Sequence, residues 1–186
     1  MTTPVHALAI AGSLRAHSYN RAVLRAAAEL APAGLTLEPC DLRPIPLYDG
    51  DVEAIGWPEA VVALRQRIAA ADALLIATPE YNHSVPGVLK NAIDWVSRPP
   101  AQPLAGKPVA ILGATTGAFG TVRAQAHLRQ TLVGLGMLPL GKPDVLIASA
   151  QERFDGTGRL VDEPTRQMIA GLLEALLHWV RRLRGA

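Results

Sequence analysis

The chain has 186 residues, 49% hydrophobic and 18% charged, with 16 glycines, 15 prolines and only 4% aromatics. That balance excludes a disordered polymer and predicts one domain, spanning residues 1–186, with an aliphatic core. Eighteen basic residues against sixteen acidic ones leave a net charge of +2, which is no footprint for nucleic acid, and a single cysteine, Cys40, excludes an internal disulfide.

In chain order, Met1 to His6 shows no basic region followed by an apolar stretch, so no secretory signal is expected. No apolar run later reaches the ~20 residues of a membrane span. The expectation is a cytoplasmic protein that meets neither membrane nor nucleic acid. Val5 to Ala11 is the first continuous apolar run and predicts a strand. A polar loop, Gly12 to Asn20, leads to an Ala-rich helix over Arg21 to Leu30. Leu35 to Asp41 alternates more and reads as a second strand nearer an edge. Arg43 to Trp57 is a long irregular segment, of the kind that serves as a lid or an interface element. Glu59 to Ala71 follows Pro58 as a helix, and Ala73 to Thr78 is a third, wholly apolar strand. Val85 to Ser97 carries Val85, Leu89, Ile93 and Val96 at helical spacing. Val109 to Ala114 gives a fourth strand, Val122 to Leu135 a helix, Asp144 to Ala148 a fifth strand, and Glu163 to Leu183 the last helix. Strands apolar on both faces, alternating with helices, predict a doubly wound α/β fold: a five-stranded parallel sheet with helices on both faces.

In such sheets ligands bind beyond the carboxyl ends of the strands, where the strand order reverses. Three loops therefore matter. The first offers the hydroxyls of Ser13 and Ser18, the guanidinium of Arg15 and the amide of Asn20 just before a helix. Free N–H groups and the positive end of a helix dipole favour an anion there, and Arg15 adds a charge-assisted contact. Capping of the helix by Ser18 or Asn20 is the competing reading of those side chains. The loop contains neither G-x-G-x-x-G nor G-K-S/T, so dinucleotide and triphosphate loops are unsupported. A phosphate site without Mg²⁺ machinery suits a flavin mononucleotide. The second loop, Pro79-Glu80-Tyr81-Asn82-His83-Ser84, is stiffened by Pro79 and can meet the rim of a heterocycle; for Glu80 a structural hydrogen bond competes with a role in chemistry. The third, Thr115 to Thr121, holds Gly117 and Gly120, which permit close approach of backbone to a planar ring.

Two motifs carry a family resemblance. G-S-L-R-x-x-S-x-N at Gly12 to Asn20 and P-E-Y-N-x-S-x-P-G-x-L-K-N-A-I-D-W at Pro79 to Trp95 resemble the NAD(P)H-dependent FMN reductases, which include bacterial quinone, chromate and azo reductases. The likeness continues through Pro46-Leu47-Tyr48-Asp49, Gly117 to Gly120, His127-Leu128-Arg129-Gln130 and Phe154-Asp155-Gly156. It departs from the family pattern at His17 and at Thr121, which stands where a second glycine is frequent. The resemblance implies a flavodoxin-like fold with bound FMN and NADPH or NADH as co-substrate. Ser13, Arg15, Ser18 and Asn20 would hold the FMN phosphate. Pro79, Glu80, Tyr81, Asn82 and Ser84 would border the ring and ribityl chain, with Thr115, Thr116 and Gly117 approaching from the other side. Lys90, Asn91, Asp94 and Trp95 look structural, and no protein side chain is expected to be catalytic. No metal is expected. The implied activity passes a hydride from NAD(P)H through FMN to small-molecule acceptors: quinones, azo compounds, chromate or free flavin. A flavodoxin-like electron carrier without its own turnover is the alternative, against which the charge of +2 argues, since such carriers are strongly acidic. The resemblance also implies a homodimer or homotetramer, with Tyr48 and Trp57 as candidate interface anchors.

Overall fold

The computed structural model describes residues 3–185; Met1 and Thr2, the start of the segment expected to hold no leader, and Ala186 lie outside the described residues. Strand β1 (Val5–Ala11) is central and buried on both faces but for His6. It is flanked by β2 (Leu35–Cys40) and β3 (Ala73–Ala77), and β4 (Pro108–Ala114) lies beyond β3. All pairings are parallel. The fifth position is shared by two short segments, β5 (Leu138–Pro139) and β6 (Val145–Ile147), which pair with opposite halves of β4. The expected fifth strand is therefore present as β6, and β5 precedes it unforeseen. The order β2-β1-β3-β4-β5 is that of the flavodoxin-like fold.

Helices α1 (Tyr19–Leu30) and α6 (Glu163–Leu183) cover one face, packing Val23, Ala27, Ile169, Leu172, Leu173 and Leu176 on Ala7, Ala9, Leu75 and Leu112. The other face carries α3 (Glu59–Ala70), α4 (Gly87–Val96) and α5 (Val122–Gly134), whose Leu64, Ile68, Leu89, Ile93 and Leu128 meet Leu8, Ile10, Leu74, Ile76 and Ile111. Alternate residues of one strand thus serve two cores, as the unbroken apolar runs require.

The segment expected to be irregular, Arg43 to Trp57, contains a short helix, α2 (Gly50–Ile55), capped by Asp49, whose side chain accepts from Asp51 N–H at 2.9 Å. No α2 residue is buried, so the helix leaves no apolar stripe to read. The segment is held from below by α4. Asn91 Nδ2 and Trp95 Nε1 donate to the Pro46 carbonyl at 2.8 and 2.9 Å, and Tyr48 N–H donates to Asn91 Oδ1 at 2.7 Å. Lys90 and Asp94 form the i,i+4 pair at 2.7 Å, an exposed contact worth about 0.3–0.5 kcal/mol. Tyr48 and Trp57 both turn inward onto the fully buried Trp95, with ring centroids at 5.0 and 6.2 Å.

Candidate active site

The chain runs from β1 outward to β2, then back across to β3, so the loops leaving β1 and β3 diverge and open a cleft between them. This cleft, of about 140 Å³, is lined by Ser13, Arg15, Ser18, Tyr19, Asn20, Pro79, Glu80, Tyr81, Ala114, Thr115 and Thr116. The three loops singled out in the sequence thus converge. Of the expected residues, Asn82, Ser84 and Gly117 lie outside its lining. Tyr19 and Ala114 line it without having been foreseen. Tyr19 packs on Phe154 at 5.3 Å, a contact across the chain that no local pattern announces. A larger cavity of about 360 Å³ lies one strand over, lined by Ala9, Ala11, Leu24, Leu37 and Pro39 with Arg21 and Arg25, and shares only Ser13 with the cleft. None of the loops after β3 and β4 reaches it, so the convergent polar groups belong to the smaller site.

The first loop is a cradle of donors. Ser18 occupies the N-cap position of α1 with an extended backbone, yet its side chain makes no capping bond, and the first turn carries no acidic residue. The competing capping role for its hydroxyl is therefore unrealised, and the N–H groups of the first turn are left facing the loop. Ser13 and Ser18 are 3% and 4% exposed; Ser13 Oγ approaches the Tyr81 hydroxyl at 3.4 Å. The Arg15 guanidinium is exposed and, among the described residues, its hydrogen bond is to the His17 carbonyl, at 3.4 Å. These groups fit an oxyanion.

Asn20 does something else. Its Nδ2 donates to the Ala114 carbonyl and its Oδ1 accepts from the Ala114 N–H, both at 2.9 Å and buried. The amide expected at the phosphate is engaged in clamping α1 to the carboxyl end of β4.

Glu80 is likewise engaged. Its side chain, 8% exposed, pairs with Arg123 at 2.5 Å and accepts from the N–H groups of Arg123 and Ala124 at 3.0 and 3.1 Å. It caps α5 from a distant loop. Burial is the largest single influence and raises its pKa, but the Arg123 side chain and the two N–H groups together hold the carboxyl below its ordinary range. Ser84 Oγ lies 3.1 Å from His127 Nδ1 of α5. Between these anchors Tyr81 and Ser84 exchange both backbone bonds, at 3.2 and 3.0 Å. Asn82 and His83 at the tip have φ of 48° and 63°, the positive pair that defines a type I′ turn.

The third loop is fixed by β6 and the short turn beyond it: Thr115 N–H donates to Ile147 O, Ser149 N–H to Gly117 O and Ala150 N–H to Thr115 O. Gly117 has no positive φ and open space at its Cβ, apart from Thr115 Oγ1 at 3.7 Å, so the glycine there is not required by packing. Gly120 is required, with φ of 56° and a Cβ that would meet the Leu146 carbonyl carbon at 2.6 Å. Thr121, in the frequent glycine position, adopts φ of 67° and is fully buried; its Oγ1 accepts from Gln125 Nε2 at 3.2 Å. Phe119 stands 61% exposed with the Arg123 guanidinium 4.6 Å from its ring centroid.

A parallel sheet in this order, with hydroxyls, a guanidinium and helix N–H groups gathered after β1 and the loops after β3 and β4 converging on them, defines a flavodoxin-like mononucleotide-binding protein. Residues 5–152 match the model of the NADPH-dependent FMN reductases, and the chain belongs to that family. It is an oxidoreductase of the FMN type that uses NAD(P)H. It is 59% identical over 185 residues to an NAD(P)H-dependent FMN reductase of Pseudomonas aeruginosa, covering 100% of both chains. It is 42% identical over 187 residues to a quinone reductase of Escherichia coli, covering 99% of this chain and 100% of the relative. Among solved structures, the flavoenzyme NAD(P)H:(acceptor) oxidoreductase FerB of Paracoccus denitrificans superposes with a TM-score of 0.88 at 35% identity, over 96% of this chain and 98% of that one.

Proposed function

We propose that the chain is one FMN-binding domain that reduces quinone-like acceptors at the expense of NAD(P)H. Ser13, Arg15 and Ser18, with the first N–H groups of α1, hold the phosphate. Pro79, Tyr81, Asn82, Thr115, Thr116 and the Gly117 backbone border the ring and polyol chain, while Glu80, Ser84 and Asn20 fix those borders from behind. When bound, FMN supplies the redox chemistry, taking a hydride equivalent from NAD(P)H and delivering electrons to the second substrate. The chain's own part is to bind, orient and leave one side open. The carrying observation is the uncommitted Ser18 hydroxyl at the head of a helix free of acidic residues in its first turn, which is where a phosphate monoester is best received. The cleft's small volume supports enclosure of the tail, with the ring lying against the loop rims and accessible to planar oxidants. Azo compounds, chromate and free flavin are further acceptors such an open site admits. The name of the Escherichia coli relative supports quinones first.

An enzyme that consumes NAD(P)H fits the cytoplasm. At least a homodimer is proposed, assembled through the α2 segment, where Leu47 and Ile55 are 83% and 87% exposed beside Val52. Tyr48 and Trp57, being packed on Trp95, support that surface rather than form its tip. The test is the visible spectrum of the purified protein before and after anaerobic NADPH, followed by NADPH oxidation with benzoquinone. The expected result is a flavin band that bleaches with NADPH and returns with the quinone. Absence of the band after incubation with excess FMN would refute the proposal.

A further inference from the structure

The turn between β3 and α4 is strained at its tip and tied down on both sides by one helix. Histidine at φ of 63° is in the left-handed region that disfavours residues bearing a Cβ. Strain of this kind persists only where the surroundings over-determine it, and it gathers at binding sites. Here the surroundings are specific. On the entering side, Glu80 is fixed to Arg123 and to the N–H groups of Arg123 and Ala124. On the leaving side, Ser84 Oγ meets His127 Nδ1 at 3.1 Å, and either atom can donate. Arg123 and His127 are four residues apart and so lie on the same face of α5. That face also carries Phe119 of the third loop on the Arg123 guanidinium. Among the described residues, no backbone bond is formed by the N–H groups of Asn82 and His83, so the turn presents two donors at its tip.

We infer that His127 is a positioning residue for the flavin ring: its contact with Ser84, acting with the Glu80–Arg123 anchor, holds Asn82-His83 in the left-handed conformation and keeps the tip donors aimed. The inference rests on the FMN reading of the cleft. Its signature differs from that of the phosphate loop, because riboflavin carries the ring but no phosphate.

The test measures affinity for FMN and for riboflavin by flavin fluorescence in the wild-type protein and in His127→Ala. Both ligands are expected to weaken equally, about two- to tenfold, the range for one net hydrogen bond. His127→Asn places an amide close to the lost Nδ1 and should restore both. Ser84→Ala removes the same contact from the other side, and the double variant should be no weaker than either single one. The decisive background is His83→Gly. Glycine takes positive φ freely, and Asn-Gly is the favoured pair for a type I′ turn; with it, His127→Ala should no longer weaken the flavins. Unchanged affinities in both single variants would overturn the inference, as would a loss confined to FMN or a loss that persists undiminished with His83→Gly. A wild-type protein that bound neither ligand would overturn the FMN reading and this inference with it, whereas flavin binding indifferent to His127 and Ser84 would overturn this inference alone.

Discussion

Gly113, in the middle of the pairing between β4 and β6, gives the most exacting test of how the third loop is held. A Cβ at this position would stand 1.9 Å from Thr121 Oγ1 and 2.5 Å from the Thr78 carbonyl oxygen. Neither neighbour can retreat easily. Thr121 is fully buried and bonded to Gln125, and Gln125 donates also to the Val145 carbonyl at 3.1 Å. The Thr78 backbone is tied to β4 itself through its N–H on Leu112 O at 2.9 Å. β4 is paired on both edges and cannot slide. Gly113→Ala should therefore cost at or above the upper end of the ~1–3 kcal/mol usual for overpacking. For a chain of this length that lowers Tm by about 6–12 °C. Thr121→Gly alone should be nearly neutral, since relief of about 1–2 kcal/mol of left-handed strain offsets loss of the Oγ1 bond and greater chain entropy. Combined, the two should show a coupling of about 1–2 kcal/mol in a double-mutant cycle. Recovery should be incomplete, because the contact with Thr78 remains. Urea unfolding of the four apo-proteins measures all of this. A Gly113→Ala protein within about 1 kcal/mol of wild type, or strict additivity with Thr121→Gly, would refute the reasoning.

Arg15→Ala should weaken FMN about ten- to a hundredfold and leave riboflavin unchanged; fluorescence titration of both ligands reads the selectivity, and an unchanged ratio removes Arg15 from the phosphate. Because the folded pKa of Glu80 is held below its unfolded value, its contribution to stability is full above about pH 4.3 and is lost as pH falls through the folded value. The stability gap between wild type and Glu80→Gln should accordingly narrow between neutral pH and about pH 3 in urea titrations, and a constant gap would contradict the pairing. Asn20→Ala deletes two buried bonds to Ala114 and should cost about 2–4 kcal/mol by calorimetry; a loss of FMN affinity without that destabilisation would return the amide to the phosphate. Ile55→Glu should convert an oligomer into a particle near 19.7 kDa by light scattering, and an unaltered mass would place the interface elsewhere.

The strands and helices were legible because parallel strands buried on both faces leave unbroken apolar runs, as in Ala73–Ala77. α2 escaped because periodicity marks only helices that bury a side, and this one buries none. β5 escaped because two residues, one of them Pro139, make no pattern. In the cleft, the loops could be placed from the topology, since their position follows from the strand order. What each polar side chain does there could not. Ser18 and Asn20 are equally good capping residues on paper; in space one is uncommitted and the other is engaged with a backbone group 94 positions away. Glu80 and Ser84 look like rim residues until Arg123 and His127, both 43 positions on, are brought against them. Local sequence reports which groups are present at an edge, and long-range partners decide which of them stay free.

The divided fifth strand has a practical consequence. Leu138–Pro139 and Val145–Ile147 are each registered on β4 independently; Leu140 N–H still donates to the Val109 carbonyl and Asp144 pairs with Arg129, so residues 141–143 between them are the stretch that can lengthen without disturbing either register. Doubling such a loop costs only about 0.6 kcal/mol in closure entropy. Because that gap contributes no residue to the cleft, it is the natural port for grafting a reporter peptide or a tether, and a place where related chains can diverge in length while the chemistry stays put.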